Sequence, residues 1–248
     1  MTTTTATKPP CLGLIVPPAA GVVPEDAVCL YGQRNPSVRF VARGLGIGGV
    51  SPEGFAPVMD RIVTQGLSLR DAGAQAISLM GTSISFYRGA THTEALRLAL
   101  QQATGLPCTT MSHAVVTALQ ALGVQRVAVA TAYIDELNAR LVDYLTQSRI
   151  AVGAIEGLGI TGVSEVGKVS PATLIALGER VFALAKSAQA VFISCGGLPT
   201  REVIEPLEQR LGVPVIASSP TGFWDLMRTA SLDPRAKGYG RLFRLAPG

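Results

Sequence analysis

The chain reads twice. Residues 44–51 spell GLGIGGVS, and residues 157–164 spell GLGITGVS. AQAISL at residues 74–79 returns as AQAVFI at residues 188–193, and TGLPCTTMS from Thr104 has a looser echo in LGVPVIASS from Leu211. Pairs in the same order, each about 110 residues apart, mark a duplicated unit whose apolar faces bury against their own copy or its neighbour. A chain of 248 residues holds two such lobes comfortably. The repeat boundaries place the first lobe at residues 1–118 together with 217–248, and the second at residues 119–216.

Within each copy, short apolar runs alternate with amphipathic stretches, the pattern of a parallel sheet flanked by helices. The first copy predicts strands at Leu12–Val16, Ala76–Met80 and Pro107–Thr109, with helices at Asp60–Ala72 and Thr93–Thr104. The second predicts strands at Arg126–Ala130, Ala151–Glu156, Ala190–Ser194 and Pro214–Ala217, with helices at Ile134–Gln147 and Pro171–Lys186. Gly105 and Gly212, each followed by an apolar residue and a proline, are read as helix stops before a strand. The fold class is therefore α/β: two pseudo-symmetric lobes, each a parallel sheet with helices, and a cleft between them. With 48% apolar and only 15% charged residues, the composition suits strands buried on both faces.

The same numbers exclude some functions. Lys and Arg total 21 against 17 acids, scattered without a basic run, which argues against a nucleic-acid partner. Residues 1–10 form a Thr-rich polar tail, and the apolar stretch after it is broken by Pro17 and Pro18, too short to span a bilayer. Cys11, Cys29, Cys108 and Cys195 lack the paired spacing of zinc or redox motifs, so we expect no metal and reduced thiols in a cytoplasmic protein. His92 and His113 share no metal-ligand spacing with each other or with acids. The glycines of GLGIGGVS lack a preceding strand and the dinucleotide-binding register.

Ligands of parallel sheets bind beyond the carboxyl ends of the strands. That directs attention to Pro17–Gly21, Gly81–Ser85, Thr131–Asp135, Cys195–Leu198 and Ser218–Gly222. Aligning the two copies sets Gly81 opposite Cys195, each just past a buried strand and at the expected start of a helix. One half offers the cleft a thiol; the other offers no side chain. Gly196 and Gly197 let the backbone approach an anion. Thr82 and Ser83 supply hydroxyls for a carboxylate or caps for a helix. The Tyr133 phenol is placed either to reach a developing oxyanion or to pack at a helix top.

These features resemble the aspartate/glutamate racemase superfamily, whose racemases carry a cysteine on each side of the substrate. Within it, the chain from about Cys11 to about Phe243 is similar to the arylmalonate decarboxylase family. The segments that carry the likeness are IVPPAAG (15–21), SLMGTS (78–83), SFYRGA (85–90), GLPCTTMS (105–112), ATAYID (130–135), GLGITGV (157–163), SCGGL (194–198) and GYGRLF (238–243). The resemblance implies a cofactor-free carboxy-lyase acting on a small dicarboxylate, as a monomer or small homo-oligomer. It implies Cys195 as proton donor, with Thr82, Ser83, Tyr133 and the backbone of Cys195 and Gly196 holding the carboxylate that stays. The departing carboxylate would sit among Pro17, Ile47, Val50, Ile84, Val163 and Val166. Phe55 and Val166 stand where the family pattern has Tyr and Met, which leaves the substrate range open. A racemase or maleate cis-trans isomerase of the same superfamily, or a non-catalytic carboxylate-binding protein, are the alternatives. The first requires a second thiol, and Gly81 supplies none.

Overall fold

A computed structural model describes residues 9–34 and 37–246. The first half runs β1 (Cys11–Val16), α1 (Glu25–Tyr31), β2 (Arg39–Gly44), α2 (Pro52–Phe55), α3 (Arg61–Asp71), β3 (Ala76–Leu79), α4 (Thr82–Phe86), α5 (Ala90–Thr104), β4 (Cys108–Thr110) and α6 (Met111–Ala121). The second runs β5 (Arg126–Thr131), α7 (Asp135–Gln147), β6 (Ala151–Gly157), α8 (Val163–Val166), α9 (Pro171–Leu184), β7 (Ala190–Ser194), α10 (Ile204–Leu211), β8 (Val215–Ala217) and α11 (Ser218–Thr229).

The duplication reappears as topology. One sheet has the order β2-β1-β3-β4 and the other β6-β5-β7-β8, with every pairing parallel. The central strands are the continuous apolar runs: all residues of β1, β3 and β7 are buried, because helices cover both faces. Burying one such Leu, Ile or Phe side chain contributes about 1.5–3 kcal/mol. At the edges the pattern weakens. β2 reads RFVARG with one buried residue, and no residue of β6 is fully buried. Gly105 and Gly212 close α5 and α10 in the left-handed conformation, at φ 70° and 72°. Each directs its N–H back to a carbonyl four residues earlier, as the sequence predicts.

Several connections join the halves, among them α4 and α5 packed on α7. The Val50 N–H donates to the Thr161 carbonyl (3.0 Å), tying the GLGIGGVS segment to its repeat. Helix α11 leaves the second sheet at β8 and packs on α6, α1, β3 and β4 of the first half. Every residue from Ser218 to Met227 is buried, as befits a helix covered on all sides. The segment expected as a loop at Ser218–Gly222 is thus the first turn of α11, where Pro220 costs no required hydrogen bond. Among the described residues, no helix is long and apolar enough to cross a membrane.

Candidate active site

In both sheets the chain goes from the first strand outward to one edge, then crosses back to the other side. The order therefore switches between β1 and β3, and again between β5 and β7. Crevices at such switch points receive ligands. The strand ends there carry Pro17, Gly81–Ser83, Tyr133 and Cys195.

Cys195 follows β7 directly and is 8% exposed. It does not begin a helix. A turn carries the chain to Ile204, where α10 starts. The cause is local: Cys195 has φ 145°, a conformation L residues avoid, and Gly196, Gly197 and Pro199 do not propagate a helix. With no helix starting at Cys195, burial dominates its electrostatics. Desolvation pushes the Cys195 thiol up to about 11, against lowering by the Gly197 N–H and the Tyr133 hydroxyl, which lie within reach of the sulfur. The Cys195 N–H is itself committed to Ser218 Oγ (3.2 Å).

Tyr133 is fully buried, and its backbone is clamped. Its N–H donates to Thr131 Oγ1 (3.0 Å), whose hydroxyl donates to Asn138 Oδ1 (2.6 Å), and its carbonyl accepts from Gly159 N–H (3.1 Å). The ring stands edge-on to Phe86, with centroids 5.8 Å apart. Its hydroxyl accepts from Ser194 Oγ (3.3 Å). Burial first, then the neighbouring Cys195, pushes the phenol up, while the hydroxyls of Ser194, Ser83 and Thr82 lower it. The phenol therefore keeps its proton and can donate it in a hydrogen bond. Those influences also locate it: Tyr133 and Cys195 from the second lobe meet Thr82 and Ser83 from the first.

Thr82 and Ser83 do not cap α4. The cap position falls on Gly81, in extended conformation and without a side-chain bond. Both side chains lie in the first helical turn and are buried. The Thr82 hydroxyl donates to Met111 Sδ (2.9 Å), and Met111 also lies against Gly196 across the lobe boundary. Sequence patterning assigns Met111 no role of its own.

The apolar residues group around these loops. Ile84 (1% exposed) and Pro17 crowd Gly81, and the Ile47 N–H donates to the Pro17 carbonyl (3.1 Å). Val50 is buried beside the Thr161 bridge, and Val166 packs on Gly197. Val163 is the first residue of α8 and partly buried against the core. His92 and His113 stand elsewhere, in the first turns of α5 and α6.

Comparisons with known proteins agree with one another. A family model described as arylmalonate decarboxylase matches residues 12–243. The chain is 51% identical to the arylmalonate decarboxylase of Bordetella bronchiseptica over 235 residues, 94% of this chain and 96% of the relative. A solved structure of a glycine-to-cysteine, cysteine-to-serine double mutant of arylmalonate decarboxylase, in liganded form, superposes with a TM-score of 0.91 at 50% identity, covering 94% of this chain and 98% of that one. A maleate isomerase from Pseudomonas putida S16 shares the fold, with a TM-score of 0.87 at 23% identity over 95% of this chain and 98% of its own.

Proposed function

The chain belongs to the arylmalonate decarboxylase family, and on that premise we propose that it releases carbon dioxide from an α-aryl or α-alkenyl malonate and protonates the resulting enediolate through Cys195. The observation that carries this reading is the buried meeting of one thiol, one phenol and two hydroxyls, contributed by both lobes at the strand ends.

The retained carboxylate is held by Thr82, Ser83, Tyr133 and the Gly196 backbone. The departing carboxylate sits among Pro17, Ile47, Val50, Ile84, Val163 and Val166, where it loses solvation that carbon dioxide does not need. Breaking the carbon–carboxylate bond leaves its electron pair on the α-carbon. The aryl group and the held carboxylate share that charge, so the substrate supplies its own electron sink. Donors aimed at the enediolate oxygens stabilise the charge as it develops. The α-carbon then takes the proton from Cys195 Sγ, and the thiolate recovers one from water. A thiol raised by burial is neutral at rest, the state a donor needs. Gly81 leaves the other face without an acid or base, so one enantiomer forms. The liganded relative supports pairing these positions: its exchanged glycine and cysteine are spaced along its chain as Gly81 and Cys195 are here.

Carbon dioxide release from phenylmalonate tests the reading. Turnover that Cys195→Ala abolishes is the expected result. Binding of the malonate without turnover in the unaltered protein would instead leave a carboxylate-binding protein.

A further inference from the structure

Cys195 holds its thiol from a backbone conformation that L residues avoid, at φ 145°. Something must keep it there, because the strain relaxes if the strand end is free. The described hydrogen bonds identify one external restraint on its amide: the Cys195 N–H donates to Ser218 Oγ at 3.2 Å. Ser218 is 1% exposed and opens α11. The next residue, Ser219, is bonded to Asp26, and Asp26 is in turn bonded by the Tyr239 hydroxyl (3.1 Å). The first turn of α11 is thus anchored on α1 and on the C-terminal segment before it reaches the thiol loop.

The other half carries a counterpart. Ser112, in the first turn of α6, donates to the Thr82 carbonyl (2.9 Å) and stands 2.6 Å from Ser85 Oγ, which itself donates to the Gly81 carbonyl (2.8 Å). After the last strand of each sheet, then, the following helix supplies a buried serine that ties down the active loop. Helices α6 and α11 pack directly on one another, so the two ties share one rigid support.

We propose that Ser218 is a positioning residue for the thiol, holding the Cys195 amide so that Sγ faces the reacting carbon, with Ser112 doing the same for the Thr82–Ser83 donors. This deepens the decarboxylase reading and rests on it, since it assigns Cys195 the protonation step. Ser218 touches no reacting atom; it acts through the backbone of the residue that does.

The test uses the full-length chain and two readouts. The first is alkylation of Cys195 by iodoacetamide as a function of pH, followed on the tryptic peptide Ser187–Arg201, in which Cys195 is the only cysteine. The second is kcat and KM on phenylmalonate. Ser218→Ala is expected to change the Cys195 alkylation rate severalfold and to lower kcat about 10- to 100-fold, as a misplacement near 1 Å does, with KM held within about threefold. Ser218→Thr, which keeps the oxygen, is expected to restore both. Ser112→Ala is expected to lower kcat while leaving Cys195 alkylation as in the unaltered protein. Should Ser218→Ala fail to fold, Ser218→Cys, a weaker acceptor of similar reach, is judged by the same criteria. An unchanged alkylation profile and unchanged kcat in the folded variant would overturn the proposal. A changed alkylation profile in a chain that decarboxylates nothing would uphold the restraint and remove the decarboxylase reading instead.

Discussion

Replacing Gly81 by cysteine puts an acid or base on the face that now has none. The structure sets the cost. A Cβ at Gly81 would lie 2.5 Å from Ile84 Cγ2 and 3.1 Å from Pro17 Cγ. The first distance is well inside van der Waals contact, and it meets a β-branched carbon of a buried side chain. Ile84 must rotate or α4 must shift, and overpacking of this kind costs about 1–3 kcal/mol. For a chain of this size each kcal/mol lowers Tm by about 2–4 °C. Gly81→Cys is therefore expected to melt roughly 2–12 °C lower and still fold. Its new activity is racemisation of 2-phenylpropionate, because one thiol now removes the α-proton and the other returns it to the opposite face. Chiral chromatography of a single enantiomer after incubation reads this out, with a thermal melt on the same sample. Ile84→Ala added to Gly81→Cys removes the clashing carbon and should raise the racemisation rate even where it lowers Tm further. A folded Gly81→Cys that leaves the enantiomer untouched, with or without Ile84→Ala, would refute the two-faced geometry.

Two further outcomes follow from the same site. A donor must hold its proton, so the decarboxylation rate is expected to stay level through neutral pH and to fall as pH rises through about 11, where an ordinary thiol would fail near 9.0. A fall centred at or below 9.0 would mean that burial does not govern the thiol. Because the unfolded thiol ionises first, the stability linked to Cys195 is complete below 9.0 and is lost as pH climbs to about 11, which denaturant midpoints measure. Tyr133→Phe removes one donor from the enediolate and is expected to lower kcat about 10²–10³-fold, with the ring's packing on Phe86 kept. A rise in KM alone would assign Tyr133 to ground-state binding.

The sequence repeat announced the two-lobed architecture because each copy's central strands are buried on both faces and so read as unbroken apolar runs. Edge strand β2 escaped notice for the opposite reason: Arg39 and Arg43 interrupt RFVARG, and only Ala42 is buried. Its counterpart in the other sheet, β6, also only partly buried, was visible only because AVGAIE is apolar. The strand-end loops were legible because parallel sheets put their ligands there. The handling of Cys195 was not. The position just past a buried strand suggested a helix start, yet Cys195 takes a positive φ and a turn follows, while its N–H donates to Ser218, distant in sequence. The hydroxyls of Thr82 and Ser83 suggested capping, and the structure releases both from that task because Gly81 occupies the cap. Met111 carried no signal in the sequence, and only tertiary contact brings its sulfur to Thr82 and Gly196. Local pattern thus located the loops, while buried polar contacts between distant segments shaped them.

The handedness of the product is the most direct test of the central claim, that a single thiol delivers the proton from one side. With 2-methyl-2-phenylmalonate, the unaltered protein is expected to yield one enantiomer of 2-phenylpropionate. The double variant Gly81→Cys with Cys195→Ser, which moves the thiol to the facing loop, is expected to yield its mirror image. The same enantiomer from both proteins, or a racemate from the first, would contradict it.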